Sequence, residues 1–196
     1  VGANIGQYAY NLRRIGYKKK IISFEPLSSA YEVIKKKSIK DKYWTVHNFG
    51  IGEQEKKVDI NISKNSYSSS ILDILPLHTE SEPQSEYFSK ETISIKKLEN
   101  LNEIDIEKFN KVFIKIDTQG YEEQVLQGIG KLINKIEGIQ IELSLYPLYK
   151  NQSLFWELYQ KIKELGFELW DLQRGFSNID SGKIYQLDGI FFRNEK

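Results

Sequence analysis

The first six residues, VGANIG, combine small side chains and run directly into an amphipathic segment, QYAYNLRRIGYK. A glycine-rich turn before a helix lets the main chain approach a ligand closely, while N–H groups of the helix face that ligand. Glu25 lies 19 residues after Gly6, at the end of the next predicted strand. A carboxylate there can accept hydrogen bonds from both ribose hydroxyls of a nucleoside. The turn and the acid together predict a site for an adenosine-containing cofactor.

The spacing inside this turn separates two kinds of adenosine cofactor. Dinucleotide-binding turns have the pattern G-x-G-x-x-G, in which the pyrophosphate lies on the end of the helix. The turn here reads GANIG and lacks that spacing, so a nicotinamide-dependent oxidoreductase is the weaker interpretation. Two alternatives stay open, a fold retained as a non-catalytic binding module and a turn that serves packing alone.

Two further acids, Asp117 and Glu142, end or lie late in predicted parallel strands. Ligands bind at this edge of such sheets, so either carboxylate could orient or deprotonate a hydroxyl group. A helix cap or an ion pair is the structural alternative for each.

The sequence contains two histidines. His78 follows SSSILDILPL in a long polar segment and is the candidate general base. His47 lies in a predicted strand, where a structural role or a place in the cofactor wall is expected. His78, Asp117 and Glu142 could together bind a divalent cation, but their spacing matches no ligand signature, so no metal is predicted.

Alternating strand-like and helix-like segments predict an α/β fold. The buried parallel strands are expected in KIISFEP, YWTVHN, KVFIKID and GIQIELSLYPLY. The helices are expected at about 5–16 and in SSAYEVIKKKS, where serines are placed to cap the helix, GYEEQVLQGIGKLI and SLFWELYQKIKELG. Carboxyl ends of parallel strands share one edge of a sheet, so this arrangement would bring the acids and the glycine turn together.

Two other segments, 57–63 and 91–97, alternate with period two and predict a pair of half-exposed strands. A long serine-rich connection joins them, so an insertion is expected at about 57–97. The final stretches FELWDLQRG and IYQLDGIFFR predict an antiparallel hairpin at the end of the sheet.

Composition limits the possible partners. The chain has 196 residues, 40% of them hydrophobic, and a formal net charge of +1, so residues 1–196 are expected to form one domain. No bulk charge favours nucleic acid or anionic lipid, and neither is expected as a partner. The absence of cysteine excludes disulfides and thiol nucleophiles and is compatible with a cytoplasmic location.

The chain resembles the FkbM family of S-adenosylmethionine-dependent methyltransferases. The matching stretches, in order, are VGANIGQYA, SFEP, HNFGIG, NSYSSSIL, LPLH, KIDTQGYE, IELSLYPLY, the GF pair at 166–167 and QLDGIFFR. The resemblance implies a class I, Rossmann-like methyltransferase fold with a doubly wound, mostly parallel sheet. It also implies S-adenosylmethionine as cofactor and methyl transfer to a hydroxyl of a glycan, sugar or secondary metabolite.

Carried over by position, the resemblance assigns the cofactor contacts. The methionine part is expected on Gly2, Ala3, Asn4 and Gly6, the ribose on Glu25, the adenine beside Asn48 and Phe49, and the transferred methyl at Asp117. Family members have a strand ending in an acid just before V-G-A-N. Neither that strand nor that acid is present in this sequence, so an N-terminally incomplete domain without its first strand is expected. The residue that would contact the ammonium group of the cofactor is therefore unassigned.

Four residues are candidates for the acceptor pocket. Tyr146 and Tyr149 flank Pro147 and could offer aromatic faces to a sugar ring, or else belong to the core. Ser69 and Ser70, within a cluster of serines, could hydrogen-bond the acceptor or lie in a flexible loop. The identity of the acceptor and the oligomeric state do not follow from the sequence.

Overall fold

The computed structural model describes residues 1–101, 104 and 106–194. The helices are α1 (Gln7–Arg14), α2 (Ser28–Ser38), α3 (Pro76–Ser81), α4 (Glu122–Ile129) and α5 (Phe155–Glu164). The strands are β1 (Ile21–Phe24), β2 (Trp44–His47), β3 (Gly50–Ile51), β4 (Lys56–Ser63), β5 (Tyr87–Lys96), β6 (Val112–Ile116), β7 (Ile136–Ser144), β8 (Phe167–Arg174) and β9 (Gln186–Arg193). The predicted mixture of strands and helices is therefore confirmed.

The strands form three sheets. β1 pairs with β2 in parallel, and β5 lies between β3 and β4. The third sheet has the order β6-β7-β9-β8, in which β6 and β7 are parallel and β9 is antiparallel to both of its neighbours. The predicted terminal hairpin is confirmed, with β9 inserted between β7 and β8.

The predicted pair of alternating strands is also confirmed, because β4 and β5 are antiparallel partners. β5 begins at Tyr87, earlier than the pattern indicated, because its first residues continue the pairing as far as Ser63. The connection between the two strands contains α3 and a 3₁₀ turn at Pro83–Ser85 and is thus partly ordered. The predicted serine cap of α2 is wrong: Leu27 occupies the cap position, and its side chain makes no capping hydrogen bond.

The main core lies between the third sheet and helices α4 and α5. Its fully buried members include aliphatic side chains that alternate along β6 and β7 or follow one face of each helix, among them Ile116, Val125, Ile129, Ile139, Ile141 and Ile162. Strands covered on one face and helices with one apolar face bury their apolar area together. This packing fixes the positions of the strand ends that form the site.

The first residues of the chain lie between the carboxyl ends of β1 and β6. The Gly2 N–H donates to the carbonyl of Phe24 at 3.1 Å, and the Asp117 N–H donates to the carbonyl of Val1 at 3.3 Å. The turn before α1 is therefore held against both strand ends. Of the described helices, none has the length and apolar character that crossing a membrane requires.

Candidate active site

A cavity of about 410 Å³ opens where the carboxyl ends of β1 and β6 meet the turn before α1. This volume is in the range of small-molecule sites. The residues that line it and carry polar or aromatic side chains include Asn4, Gln7, Glu25, Ser66, Ser68, Ser69, His78, Glu82, Asp117, Gln119, Glu142, Phe176 and Gln186. Within the described chain, no lysine or arginine side chain lines this cavity.

The turn before α1 has the shape of a ligand-binding elbow. Three of its residues have positive φ, 71° at Gly2, 47° at Asn4 and 83° at Gly6. The Asn4 N–H donates to Glu25 Oε2 at 2.6 Å, and the Leu27 N–H donates to Glu25 Oε1 at 2.9 Å. The glycine turn and the acid at the end of β1 are therefore joined directly by a hydrogen bond.

Glu25 is buried, with an exposed fraction of 4%. Burial raises its pKa to about 7, although the N–H groups of Leu27 and Asn4 act in the opposite direction. A buried carboxylate with hydrogen-bonding capacity to spare is a strong acceptor for hydroxyl groups.

The other predicted cofactor residues are placed differently. Ala3 and Gly6 do not line the cavity; a side chain at Gly6 would meet Ile34 and Trp44, which shows close packing there. Asn48 is exposed and donates from its side chain to the carbonyls of Glu25 and Pro26, both at 3.0 Å.

The aromatic residue after Asn48 belongs to the core. Phe49 is buried and lies 5.6 Å, ring to ring, from Phe24. His47 stacks on the same Phe24 ring at 5.5 Å. Neither Asn48 nor Phe49 lines the cavity, so their contact with adenine stays a prediction.

The second half of the cavity centres on Asp117 and Glu142, which a glutamine connects. The Gln119 side-chain amide donates to Asp117 Oδ1 at 2.9 Å and to Glu142 Oε2 at 3.0 Å. Gln186 also donates to Glu142 Oε2, at 2.7 Å, and Lys115 forms an ion pair with Asp117. The two predicted catalytic acids therefore lie in one hydrogen-bonded network.

The environments of these acids separate their pKa values. Burial acts to raise the pKa of Asp117, but the charge of Lys115 and the bonds from Lys115 and Gln119 hold it below its usual value. Burial and the nearby Asp117 charge raise the pKa of Glu142 well above its ordinary range. Because Oε2 of Glu142 already accepts two N–H groups, a proton on this acid belongs on Oε1. Paired carboxyls with divergent pKa values are typical of acid–base sites.

Tyr149 holds Gln119 of this network in place through its hydroxyl group. Its exposed fraction is 0%, and its hydroxyl lies 2.7 Å from Gln119 Oε1 and 3.2 Å from the Ser68 carbonyl. Ser70 is also buried and donates to the Gln119 carbonyl at 2.6 Å. These two predicted acceptor residues do not line the cavity; they hold Gln119, whose φ is 55°.

The remaining predicted acceptor residues divide between the cavity and the surface. Ser69 lines the cavity, and its hydroxyl accepts the Ser63 N–H at 3.1 Å. Tyr146 is 37% exposed and packs edge-on against Tyr185, outside the lining.

His78 lies on α3 in the wall of the cavity, with an exposed fraction of 3%. Its ring contacts Tyr149 and Phe176 at centroid distances of 5.2 and 5.0 Å. Burial lowers its pKa to about 4, so the ring is neutral at pH 7. Its Nδ1 is buried without a hydrogen-bond partner in the described chain, a state that costs about 1–3 kcal/mol and that a bound hydroxyl would relieve.

Gln119 and Gln186 are functional candidates that the sequence analysis missed. Gln119 lies two residues after Asp117 in KIDTQGYE, at the edge of the predicted sheet where ligands bind. Its position could therefore have indicated a role in the site. Gln186 meets Ser144 only through the pairing of β7 with β9, and no local pattern in the sequence indicates that pairing.

Glu122 shapes the turn that carries Asp117 and Gln119. One carboxylate oxygen accepts the Thr118 N–H at 2.8 Å, and the other accepts the Gly120 N–H at 3.0 Å. Glu122 is 3% exposed, and burial raises its pKa to about 7.

Glu122→Gln should change the pH dependence of stability. Because the pKa of Glu122 is higher in the folded protein than in the unfolded chain, protonation of Glu122 stabilises the fold. This contribution is complete below about pH 4.5, the pKa in the unfolded chain, and is lost as the pH rises through about 7, the pKa in the folded protein. The free energy of unfolding of the wild type, relative to E122Q, should thus fall by about 2 kcal/mol between pH 5 and pH 8. Urea unfolding at several pH values measures this. Glu123→Gln is the control, because Lys161 keeps the Glu123 pKa low; equal slopes for both variants would contradict the assignment.

The described residues include no group of three or more histidine, cysteine, aspartate or glutamate side chains arranged to hold a metal ion. An acidic cavity without cationic side chains suits a cationic or neutral ligand. It is a poor environment for a pyrophosphate, because Glu25 and Asp117 line the cavity and no described cationic side chain there would offset the negative charge of the phosphates.

Comparisons with known proteins identify the family of this chain. The model of the methyltransferase FkbM domain matches residues 1–169. A methyltransferase FkbM structure from Methylobacillus flagellatus KT is similar at 17% identity and a TM-score of 0.59, covering 97% of this chain and 41% of that one. The chain thus spans less than half the length of this neighbour.

A magnesium protoporphyrin IX methyltransferase from Synechocystis PCC 6803, solved with bound SAM, is similar at 9% identity and a TM-score of 0.52. The match covers 98% of this chain and 67% of that one. No curated protein matches the chain. Because the family model matches most of its residues, the chain belongs to the FkbM family of S-adenosylmethionine-dependent methyltransferases.

Proposed function

We propose that this protein methylates a hydroxyl group of an uncharged acceptor, a sugar, glycan or hydroxylated secondary metabolite. The observation that carries the proposal is the cavity itself, in which Glu25, Glu82, Asp117 and Glu142 face the ligand space and no described cationic side chain does. The ionised Asp117 and the carboxylate form of Glu25, whose pKa is about 7, oppose an acceptor that bears phosphate or carboxylate.

The same acids fit the cofactor. S-adenosylmethionine supplies a methyl group on a positively charged sulfonium. Glu25 would hold the ribose, since it lies beside the elbow at the end of β1, and Gly2 and Asn4 would shape the main chain around the methionine part. The ionised Asp117 stabilises positive charge in its half of the cavity. Each of these residues is thus matched to one part of the cofactor, and contacts of Asn48 and Phe49 with the adenine are proposed as well.

Three residues are proposed to act on the acceptor. Glu142 offers Oε1 to the hydroxyl, because its Oε2 is occupied by Gln119 and Gln186. Because burial and the Asp117 charge raise its pKa, the carboxylate form of Glu142 is a stronger base than an ordinary carboxylate, and in that form it would take the proton that the hydroxyl loses. His78 can hydrogen-bond the acceptor through the unpartnered Nδ1, and Asp117 orients the network. Aligning the acceptor oxygen is the main contribution of the protein.

The fold around the site carries a further proposal. β1 and β6 both line a second cavity of about 1040 Å³ that lies between them. Among the described strands, β1 pairs with β2 alone and β6 pairs with β7 alone. We propose that a parallel strand belongs in this space and joins the sheets into one doubly wound sheet, and that residues 1–196 form part of that single domain. We also propose a cytoplasmic location, because the sequence contains no cysteine.

Methyl transfer from radiolabelled S-adenosylmethionine tests the proposed reaction. We expect label in neutral hydroxylated acceptors and none in matched acceptors that carry phosphate or carboxylate. The product should survive mild alkali, as a methyl ether does and a methyl ester does not. Labelling only of acidic acceptors or of amines would overturn the proposal. Binding of S-adenosylhomocysteine without transfer to any acceptor would favour the alternative of a non-catalytic binding module.

A further inference from the structure

The basic residues are concentrated at one end of the molecule. Ten of the 28 lysines and arginines lie between Arg13 and Lys42, with three acidic residues. Of those three, Glu25 is buried in the cavity and Asp41 is paired with Arg13 at 2.7 Å. The overall charge of +1 therefore conceals a strongly positive region.

The fold brings these residues together. They come from the last turns of α1 and α2 and from the connections that lead into β1 and β2. Because β1 and β2 are parallel neighbours, with Ile21 opposite Trp44, both connections lie at the same end of the sheet. We call residues 13–20 and 35–43 the basic end. It lies opposite the carboxyl ends of the strands, where the cavity is.

Arg13 holds the two connections in a fixed arrangement. Besides its ion pair with Asp41, it donates to the carbonyl of Tyr17 at 2.6 Å and to the carbonyl of Tyr43 at 3.3 Å. The Ile21 N–H donates to the same Tyr43 carbonyl at 2.8 Å. The side chains of the basic end are thus presented from one ordered surface.

Large apolar side chains project from this charged surface. Ile15, directly after α1, is 81% exposed, and Ile39, directly after α2, is 74% exposed. Tyr17 and Tyr43 are 41% and 49% exposed. Removing one isoleucine from water is worth about 1.5–3 kcal/mol, so a surface with two such side chains among lysines is suited to an apolar, negatively charged partner.

We propose that the basic end binds the surface of a membrane containing anionic phospholipids, with Ile15 and Ile39 inserted among the headgroups. Lysines near such a surface each contribute about 1 kcal/mol, and exposed apolar side chains add the energy of partial insertion. Tyrosines favour the same interface, because they have an apolar ring and a polar tip.

Nucleic acid fits these features less well. Single strands are bound by stacking of bases on aromatic faces and by arginine, whereas the most exposed apolar groups here are aliphatic and eight of the ten cations are lysines. The proposal departs from the expectation drawn from net charge alone. It goes beyond the proposed methyl transfer and does not depend on it, since the cavity lies at the other end of the sheet.

Sedimentation with lipid vesicles tests this proposal with the full-length protein. We expect binding to vesicles of phosphatidylcholine and phosphatidylglycerol in equal parts, weakened by salt, and little binding to phosphatidylcholine alone. Lys18, Lys19 and Lys40 are exposed and make no hydrogen bond or ion pair to a described residue. Their triple replacement by serine should weaken binding at least tenfold, and Ile15→Ser with Ile39→Ser about tenfold.

Matched variants control for net charge and for apolar exposure. Replacing the exposed Lys57, Lys90 and Lys150 by serine removes the same charge outside the basic end. Ile179→Ser removes an isoleucine that is 91% exposed and also lies outside the basic end. Both should bind vesicles as the wild type does. No vesicle binding, equal binding to neutral vesicles, equal losses in the control variants, or retention of an RNA oligonucleotide without vesicle binding would each overturn the proposal.

Discussion

Glu25→Gln is expected to weaken binding of S-adenosylhomocysteine by about 100-fold, because two charge-assisted hydrogen bonds are worth about 3 kcal/mol or more together. Both oxygens of Glu25 accept main-chain N–H groups, from Asn4 and from Leu27. A side-chain amide would place an N–H group against one of these donors and would offer the ribose a weaker acceptor. Titration calorimetry of wild type and variant measures the change.

Glu91→Gln is the matched control for this substitution. Glu91 accepts hydrogen bonds from the main chain and hydroxyl of Ser28 near the start of α2 and does not line the cavity. Because the Glu91 charge contributes to the raised pKa of Glu25, the comparison is made at pH 8, where its replacement should leave the affinity unchanged. Since burial raises the Glu25 pKa to about 7, wild-type affinity should rise from pH 6 to pH 8 as the carboxylate forms, and E25Q should lack this rise. Equal affinities of wild type and E25Q would remove Glu25 from the cofactor site.

Gly2→Ala is expected to reduce stability and to abolish cofactor binding, since there is no space for a side chain at this position. A Cβ would lie 1.7 Å from the carbonyl oxygen of Asp117, a main-chain atom that cannot move aside alone, and φ is +71°. Overpacking of this kind costs about 1–3 kcal/mol or more, in addition to about 1–2 kcal/mol for the left-handed conformation.

Gly16→Ala separates these two costs. Gly16 also has a positive φ, +93°, but a Cβ there would meet nothing within 4 Å. Chemical unfolding should therefore show a loss for G2A that exceeds the loss for G16A by about 2 kcal/mol, and only G16A should retain cofactor affinity. Equal losses for the two variants would mean that the elbow can move away from Asp117.

The glycine turn and the acid that it contacts could be recognised from sequence because their signals are local. The turn at 2–6 and the acid at the end of the next strand are short-range features, and the structure joins them through the Asn4 N–H. The parallel strands and the terminal hairpin follow from patterns of apolar residues and from turn composition in the same way.

The acceptor half depends on long-range register, which the sequence does not display. Gln186 meets Glu142 only because β9 pairs with β7. Tyr149 was a candidate for the acceptor pocket or for the core, and its hydroxyl contacts Gln119 from a fully buried position. The basic end likewise arises from the parallel pairing of β1 with β2, whereas composition gives only a nearly neutral total.

A crystal structure with S-adenosylhomocysteine tests the central claim most directly, namely that one cavity holds the cofactor on Glu25 and the acceptor beside Asp117 and Glu142. The result we predict has both ribose hydroxyls within hydrogen-bond distance of Glu25 and the sulfur facing Asp117, with the space beside Glu142 and His78 left open for an acceptor. A ribose bound away from Glu25, or a sulfur directed away from Asp117 and Glu142, would contradict it.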